Sequence, residues 1–329
     1  MHYKAPFWLP GGHLQTIWAS RMSRQHHAPA NSYARQRLAT PDEDFVDIDW
    51  LHTSTKQAER VEQASPHSLL VLFHGLEGSS QGHYAIAFAQ AAQAKGWSFA
   101  VPHFRGCSGA INMAPRAYHS GDVAEIDWML KQIKAQHAGP ILVVGISLGG
   151  NALMKWAGDL GHAARLDVQA IASISAPLDL WQSGMHLGKG FNRYVYTAMF
   201  LKTMKQKALL KHQQYPKLFN LNKVLSAQTL YDFDNEFTAP LHGFKNTEDY
   251  WKRASAIHTL ADIKVPALLV NAGNDPFVPK ESLPKQKQLG LGVQAFQPLT
   301  GGHVGFPVGS KAEPSLPEQV VAWLSHKTH

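Results

Sequence analysis

The chain has 329 residues, 31 Lys and Arg against 24 Asp and Glu, a formal charge of +7 at pH 7, and one cysteine. Its length is ample for a sizeable core, and its apolar and charged fractions are ordinary for a globular protein. A single cysteine excludes an intrachain disulfide, and no apolar run approaches the roughly 18 residues of a membrane span, so a cytoplasmic setting is expected.

The N-terminal residues lack an apolar signal-peptide core. They are Arg-bearing and free of acid up to Asp42, as a transit peptide would be. Pro6, Pro10, Gly11 and Gly12 argue against the amphipathic helix such a peptide needs, so residues 1–43 read as an irregular arm. Phe45 to Trp50 alternates as an exposed edge strand would, and residues 53–67 read as polar, turn-like sequence.

Strand–helix alternation begins at Leu69. Strands are predicted at Leu69–Phe73, Ser98–Pro102, Ile141–Val144 and Val168–Ser175. Between and after them come helices at Tyr84–Lys95, from about Gly121 to Ala135, and at Gly149–Gly158. Continuous apolar strands separated by helices predict an α/β fold, with a mostly parallel sheet covered on both faces. The alternation stops at Asp179 and resumes at Val265–Val270, with a last strand at Val293–Phe296 and a helix near Pro317–Leu324. A crossover needs only about a dozen residues, so 179–264 is read as a helical cap inserted into a core of 1–178 and 265–329.

Charge is unevenly placed. Residues 1–41 and 180–231 contain no acid and together carry +13, leaving −6 on the rest of the chain. Such an asymmetry reads first as a solvated face. From Phe191 to His212 basic residues interleave with Val195, Met199, Leu201, Met204 and Leu209. The main expectation is a cap packing its apolar side inward; the sharper one is peripheral contact with an anionic membrane or acyl substrate. No nucleic-acid motif accompanies the charge, so no nucleic-acid partner is expected. The histidines show no metal-ligand spacing, so no metal is expected.

Gly145-Ile146-Ser147-Leu148-Gly149 lies directly between an apolar strand and a helix. A sharp strand–turn–helix pushes the serine hydroxyl above the sheet, and a Cβ at either glycine would collide with neighbouring backbone. A chance G-x-S-x-G is expected in roughly one chain in eight of this composition, so context decides. A second match, Gly78-Ser79-Ser80-Gln81-Gly82, puts Ser80 seven residues past Phe73, in a loop and away from a strand end. Ser147 is the candidate nucleophile.

A serine hydroxyl needs an oriented base. Asp275 follows the strand after the insertion, and His303 follows the last strand in a glycine-rich loop. Both sit at strand carboxyl ends, where open α/β sheets carry their sites, and in the chain order serine, acid, histidine. Asp179 offers an alternative acid, His242 and His258 alternative bases, and Asp275 could merely cap the turn at Pro276. The backbone N–H groups of Leu76 and Leu148 are the expected oxyanion donors. His74 is read as a structural ligand of its loop, and Cys107 as a packed thiol.

Long strings of the chain resemble the YheT-like esterase and hydrolase branch of the α/β-hydrolase superfamily. They are Phe7-Trp8-Leu9-Pro10-Gly11-Gly12-His13-Leu14-Gln15-Thr16-Ile17-Trp18, His74-Gly75-Leu76-Glu77-Gly78-Ser79-Ser80, Phe104-Arg105-Gly106-Cys107-Ser108-Gly109, Tyr118-His119-Ser120-Gly121, Phe233-Asp234 and Asn274-Asp275-Pro276-Phe277. Position 122 is Asp where Thr or a similar residue is expected. The resemblance implies a Ser147–Asp275–His303 relay and cofactor-free hydrolysis of carboxylic esters, including lipid-like acyl esters. Acyl transfer or thioester cleavage through the same residues, or non-catalytic ligand binding on this scaffold, are the alternatives. The arm motif has no chemistry of its own and is expected to pack near the site's rim.

Overall fold

The computed structural model describes residues 1–22, 33–52, 67–310 and 313–327. The expected turn-like stretch 53–67 lies outside the described residues except for His67. Eight strands form one sheet: β1 (Ala34–Ala39), β2 (Phe45–Leu51), β3 (Leu69–Phe73), β4 (Ser98–Pro102), β5 (Ile141–Ile146), β6 (Ala170–Ile174), β7 (Ala267–Val270) and β8 (Val293–Phe296). Their order is β1-β2-β4-β3-β5-β6-β7-β8. The β1–β2 and β2–β4 pairs are antiparallel and the remaining pairs parallel.

Strand alternation divides the core between two faces. Leu69, Val71 and Phe73 face the helices Val123–Lys134 and Leu148–Leu160 through Ile126, Met129, Leu153 and Trp156. Leu70 and Leu72 face the other way, toward His83–Ala94 and Leu316–Ser325 through Phe88, Ala92, Val320 and Leu324. Both faces being covered explains why the central strands are apolar at every position. Asp122 caps Val123–Lys134 by accepting from the Glu125 N–H and pairs with Arg116, so an acid does there what a threonine hydroxyl would.

Two expectations for the first 50 residues are corrected. The arm is not irregular throughout: a helix runs from Gly12, the last of the predicted breakers, to Met22, with Gly11 at φ +77° making the turn into it. Nor is Phe45–Trp50 an exposed edge. β2 is buried between β1 and β4, and β1 is the edge. The acids that made β2 look half-solvated are neutralised across the strand pair. Arg37 lies opposite Asp47 and Arg35 opposite Asp49, with Nε–Oδ1 distances of 2.8 and 2.7 Å. These hydrogen-bonded pairs hold the carboxyls of both aspartates below their ordinary range, against the opposing effect of burial.

Between β6 and β7 the chain is helical: Leu180–Leu187, Ala198–Gln214, Leu221–Ser226, Leu230–Phe233 and Thr247–Ala254 are its main pieces. Arg193–Thr197 and Asp234–Thr238 are π turns running into helices. The basic stretch is not simply a solvated face. Lys211 is buried and donates to the carbonyls of Asn112 and Ala114, and Lys207 donates to Glu77 Oε1 at 2.8 Å. Nor do its apolar residues all turn inward. Leu201 and Ala208 are buried with Val224, Phe233 and Phe237, whereas Val195, Met199 and Leu209 are exposed. Among the described residues no helix is long and apolar enough to cross a membrane.

Candidate active site

β5 ends at Ile146, and Ser147 follows at φ 52°, ψ −116° before the helix Leu148–Leu160. This strained conformation costs on the order of 1–3 kcal/mol and persists only where the surroundings enforce it. They do so at close range. The Ser147 N–H donates to the Ile174 carbonyl at 2.9 Å. A Cβ on Gly145 would come within 2.5 Å of the Gly149 carbonyl oxygen, and one on Gly149 within 2.5 Å of the Phe73 carbonyl oxygen. The two glycines therefore allow strand and helix to approach around the serine.

Ser147, His303 and Asp275 come together although 28 to 156 residues separate them. His303 Nε2 lies 3.0 Å from Ser147 Oγ, and His303 Nδ1 lies 2.9 Å from Asp275 Oδ2. A ring nitrogen facing a carboxylate carries the proton, which leaves Nε2 as the acceptor toward the hydroxyl. Asp275 also caps its turn, accepting from the Phe277 and Val278 N–H groups at 2.7 and 3.2 Å. The capping role and the contact with histidine coexist in one side chain. Phe277 stacks on the His303 ring with centroids 3.9 Å apart and fixes the ring's plane.

The rival residues are engaged elsewhere. Asp179 caps Leu180–Leu187. Both ring nitrogens of His242 face carbonyls, those of Thr238 and Ala117, and His258 is exposed. Ser80 is buried and donates to Asp49 Oδ2 at 2.6 Å. His74 accepts from the Phe104 N–H and approaches the Gly75 carbonyl at 2.8 Å, and burial pushes its pKa down to about 3. Cys107 accepts from Lys207 at 3.2 Å, and burial pushes its thiol up to about 11.

Among the described residues the backbone N–H groups of Leu76 and Leu148 have no protein acceptor, and both residues line the same cavity as Ser147 and His303. The turn carrying Leu76 is held from several sides. Tyr84 accepts from the Gly75 N–H, Tyr118 accepts from the Glu77 N–H, and Lys207 of the insertion reaches the Glu77 carboxylate. The cavity has a volume of about 1120 Å³ including its open mouth. Its walls come largely from the insertion, including Phe200, Leu230, Phe233, Phe237 and Trp251. Among the described residues no three His, Cys, Asp or Glu side chains are grouped to hold a metal ion.

Sequence reasoning missed the residues that hold the acid and histidine loops. Thr16 Oγ1 accepts from the His303 N–H at 2.8 Å. Gln15 Oε1 accepts from the Gly301 N–H at 2.9 Å and from Asn274 Nδ2 at 3.0 Å, and Asn274 Oδ1 accepts from the Gly302 N–H. A Cβ on Gly12 would lie 1.8 Å from the Asn274 carbonyl oxygen, so the arm helix seats directly on the acid loop. The only signal was the polar pair Gln15-Thr16 within the arm motif.

Sheet order, elbow and strand-end residues define an α/β hydrolase. A family model described as alpha/beta hydrolase fold matches residues 68–310, and the chain belongs to this family. Within it the chain is YheT-like. It is 38% identical over 319 residues to YheT of Escherichia coli (strain K12), a protein named as a candidate esterase, covering 95% of this chain and 90% of that one. Phospholipase ABHD3 of Mus musculus is 25% identical over 288 residues, covering 85% of this chain and 68% of its own length. Among solved structures, an esterase of Pyrococcus furiosus superposes with a TM-score of 0.55 at 16% identity, covering 91% and 92% of the two chains. That likeness speaks for the fold.

Proposed function

We propose that the protein is a serine carboxylic-ester hydrolase acting on lipid-like acyl esters. The observation that carries this reading is the continuous Ser147–His303–Asp275 hydrogen-bond path at the wall of an apolar cavity. Ser147 Oγ attacks the acyl carbonyl while His303 Nε2 takes its proton. Asp275 holds the Nδ1–H and stabilises the imidazolium. The oxyanion is received by the N–H groups of Leu76 and Leu148, two fixed donors each worth a few kcal/mol of barrier lowering. His303 returns the proton to the leaving alcohol. Water, deprotonated by the same nitrogen, then releases the acid and restores Ser147.

The aromatic and aliphatic walls suit an acyl chain, and residues 179–264 act as the cap that supplies them. Esterase and phospholipase names among the relatives support the same substrate class. The single cysteine, raised in pKa and packed, suits a reducing cytoplasm.

A p-nitrophenyl ester panel from short to long acyl chains, with Ser147→Ala as control, tests this reading. Hydrolysis that vanishes in the control and favours medium or long chains is expected. Failure of Ser147 to react with a fluorophosphonate would favour non-catalytic ligand binding. Product captured by added alcohol or thiol in place of water would favour acyl transfer.

A further inference from the structure

The arm helix buries polar Gln15 and Thr16 and exposes apolar Leu14 and Trp18, unlike an ordinary surface helix. Gln15 and Thr16 point inward because they hold the acid and histidine loops. Leu14 and Trp18, one turn apart, point to solvent beside Trp8 and Phe7, the last 95% exposed. Trp8 and Trp18 meet edge to face at 5.1 Å. The insertion supplies a second half. Phe191, Tyr194, Val195 and Met199, on the π turn Arg193–Thr197 and the helices flanking it, are all exposed, Tyr194 to 76%. His13 joins the halves, with its ring 4.7 Å from Phe191 and its Nδ1 3.0 Å from the Tyr196 hydroxyl.

Aromatic surface continuous across two elements marks an interaction site, and its charge indicates the partner. Lys4, Arg21, Lys189 and Lys202 are exposed on the same two segments, which contain no acid from residue 1 to 41 or from 180 to 231. Two copies meeting through this face would set cations against cations. Exposed Phe, Trp and Tyr on segments that also expose Lys and Arg and carry no acid match a headgroup–acyl boundary instead. Ring contacts also run from the patch to the candidate site: Phe191 to Tyr196, Tyr196 to Phe277, and Phe277 to His303.

We propose that the arm and the start of the insertion form one docking face for an anionic phospholipid surface. Docking there would present acyl esters to the cavity. That purpose rests on the esterase reading, but the binding does not.

The test is co-sedimentation of the Ser147→Ala protein with phosphatidylcholine vesicles, with and without roughly 30% phosphatidylglycerol. Pelleting should require the anionic lipid and fall with added salt. It should weaken by about tenfold or more in Phe7→Ser/Tyr194→Ser and again in Lys4→Gln/Lys202→Gln, since both apolar burial and charge drive such binding. Negligible pelleting on both vesicles, or binding that Phe7→Ser/Tyr194→Ser leaves unchanged, overturns the proposal. So does a concentration-dependent dimer in sedimentation velocity, abolished by that pair of changes, in a protein that ignores vesicles. Cleavage of a short soluble ester by Phe7→Ser/Tyr194→Ser with Ser147 intact reports that the variant is folded. Vesicle binding without fluorophosphonate labelling would sink the esterase reading alone, and labelling without vesicle binding the docking face alone.

Discussion

Replacing Gln15 by leucine asks whether the arm helix positions the loops of the proposed acid and base or only adds stability. Gln15 is buried, and its Oε1 receives two donors, the Gly301 N–H at 2.9 Å and Asn274 Nδ2 at 3.0 Å. Leucine keeps the volume and removes the acceptor. Leaving a buried donor unpaired costs about 1–3 kcal/mol, so two orphans amount to roughly 2–6 kcal/mol if nothing moves. The loops can relieve that cost by shifting toward water, and both shifted segments adjoin members of the candidate triad. Gly301 lies two residues from His303, and Asn274 immediately precedes Asp275. If about 3 kcal/mol appears as misalignment, kcat falls by roughly 10²-fold. KM should change little, because the cavity walls belong to other elements.

The assay is steady-state hydrolysis of a p-nitrophenyl ester alongside urea unfolding. Gln15→Glu serves as the rescue: its carboxyl group still accepts both donors and, when its buried site keeps it protonated, still donates to the Leu9 carbonyl in place of Gln15 Nε2. Recovery of most of kcat by Gln15→Glu is expected. A Gln15→Leu protein with reduced stability but kcat within about twofold of the parent would refute the reasoning. The arm would then be a structural strap and nothing more.

Asp275→Asn separates the two jobs of that side chain. Oδ1 can still cap the turn, yet an amide beside Nδ1 stabilises the wrong tautomer, so kcat should drop by roughly 10³–10⁴-fold with little change in unfolding midpoint. An activity loss that merely parallels a stability loss would leave Asp275 as a turn cap. Gly149→Ala forces a Cβ to 2.5 Å from the Phe73 and His74 carbonyl oxygens, so fluorophosphonate labelling of Ser147 should be largely lost. Labelling at the parent rate would show that the elbow has room to spare.

Asp234 tests pH linkage. It lines the cavity, accepts from the Thr238 hydroxyl and Trp251 Nε1, and burial raises its carboxyl from the ordinary aspartate range to about 6. The folded state thus holds the proton more tightly than the unfolded chain, and this group's contribution falls as pH rises from about 4 through 6. Above that window an ionised buried carboxylate costs on the order of 3 kcal/mol. Asp234→Asn should therefore be more stable than the parent in urea at pH 8 and gain little near pH 4. An equal or smaller midpoint at pH 8 would contradict this account.

How much was readable from the chain depended on how local each signal was. β3 to β8 and the main core helices follow from apolar runs and strand–helix alternation, because a sheet covered on both faces requires them. The elbow was legible because glycines are needed within five consecutive residues, and Asp275 and His303 because strand ends can be read in order. β1 and the true edge were not. The arginines of β1 looked like surface charge until their pairing with Asp47 and Asp49 placed two acids in the interior. The arm helix was hidden by breakers that turned out to start it.

By itself the sequence determined the parallel part of the sheet from β3 to β8, the insertion's place and a candidate nucleophile, acid and base. Each depends on residues close in the chain or on a pattern of fixed period. Only the tertiary structure decided what holds those residues in register. Gln15 and Thr16 reach Gly301 and His303 across 286 and 287 residues, and Lys207 reaches Glu77 across 130. Hydrogen bonds of that separation leave no periodic trace in a single chain. They exist because buried donors must find acceptors, and folding alone determines which acceptors lie within reach.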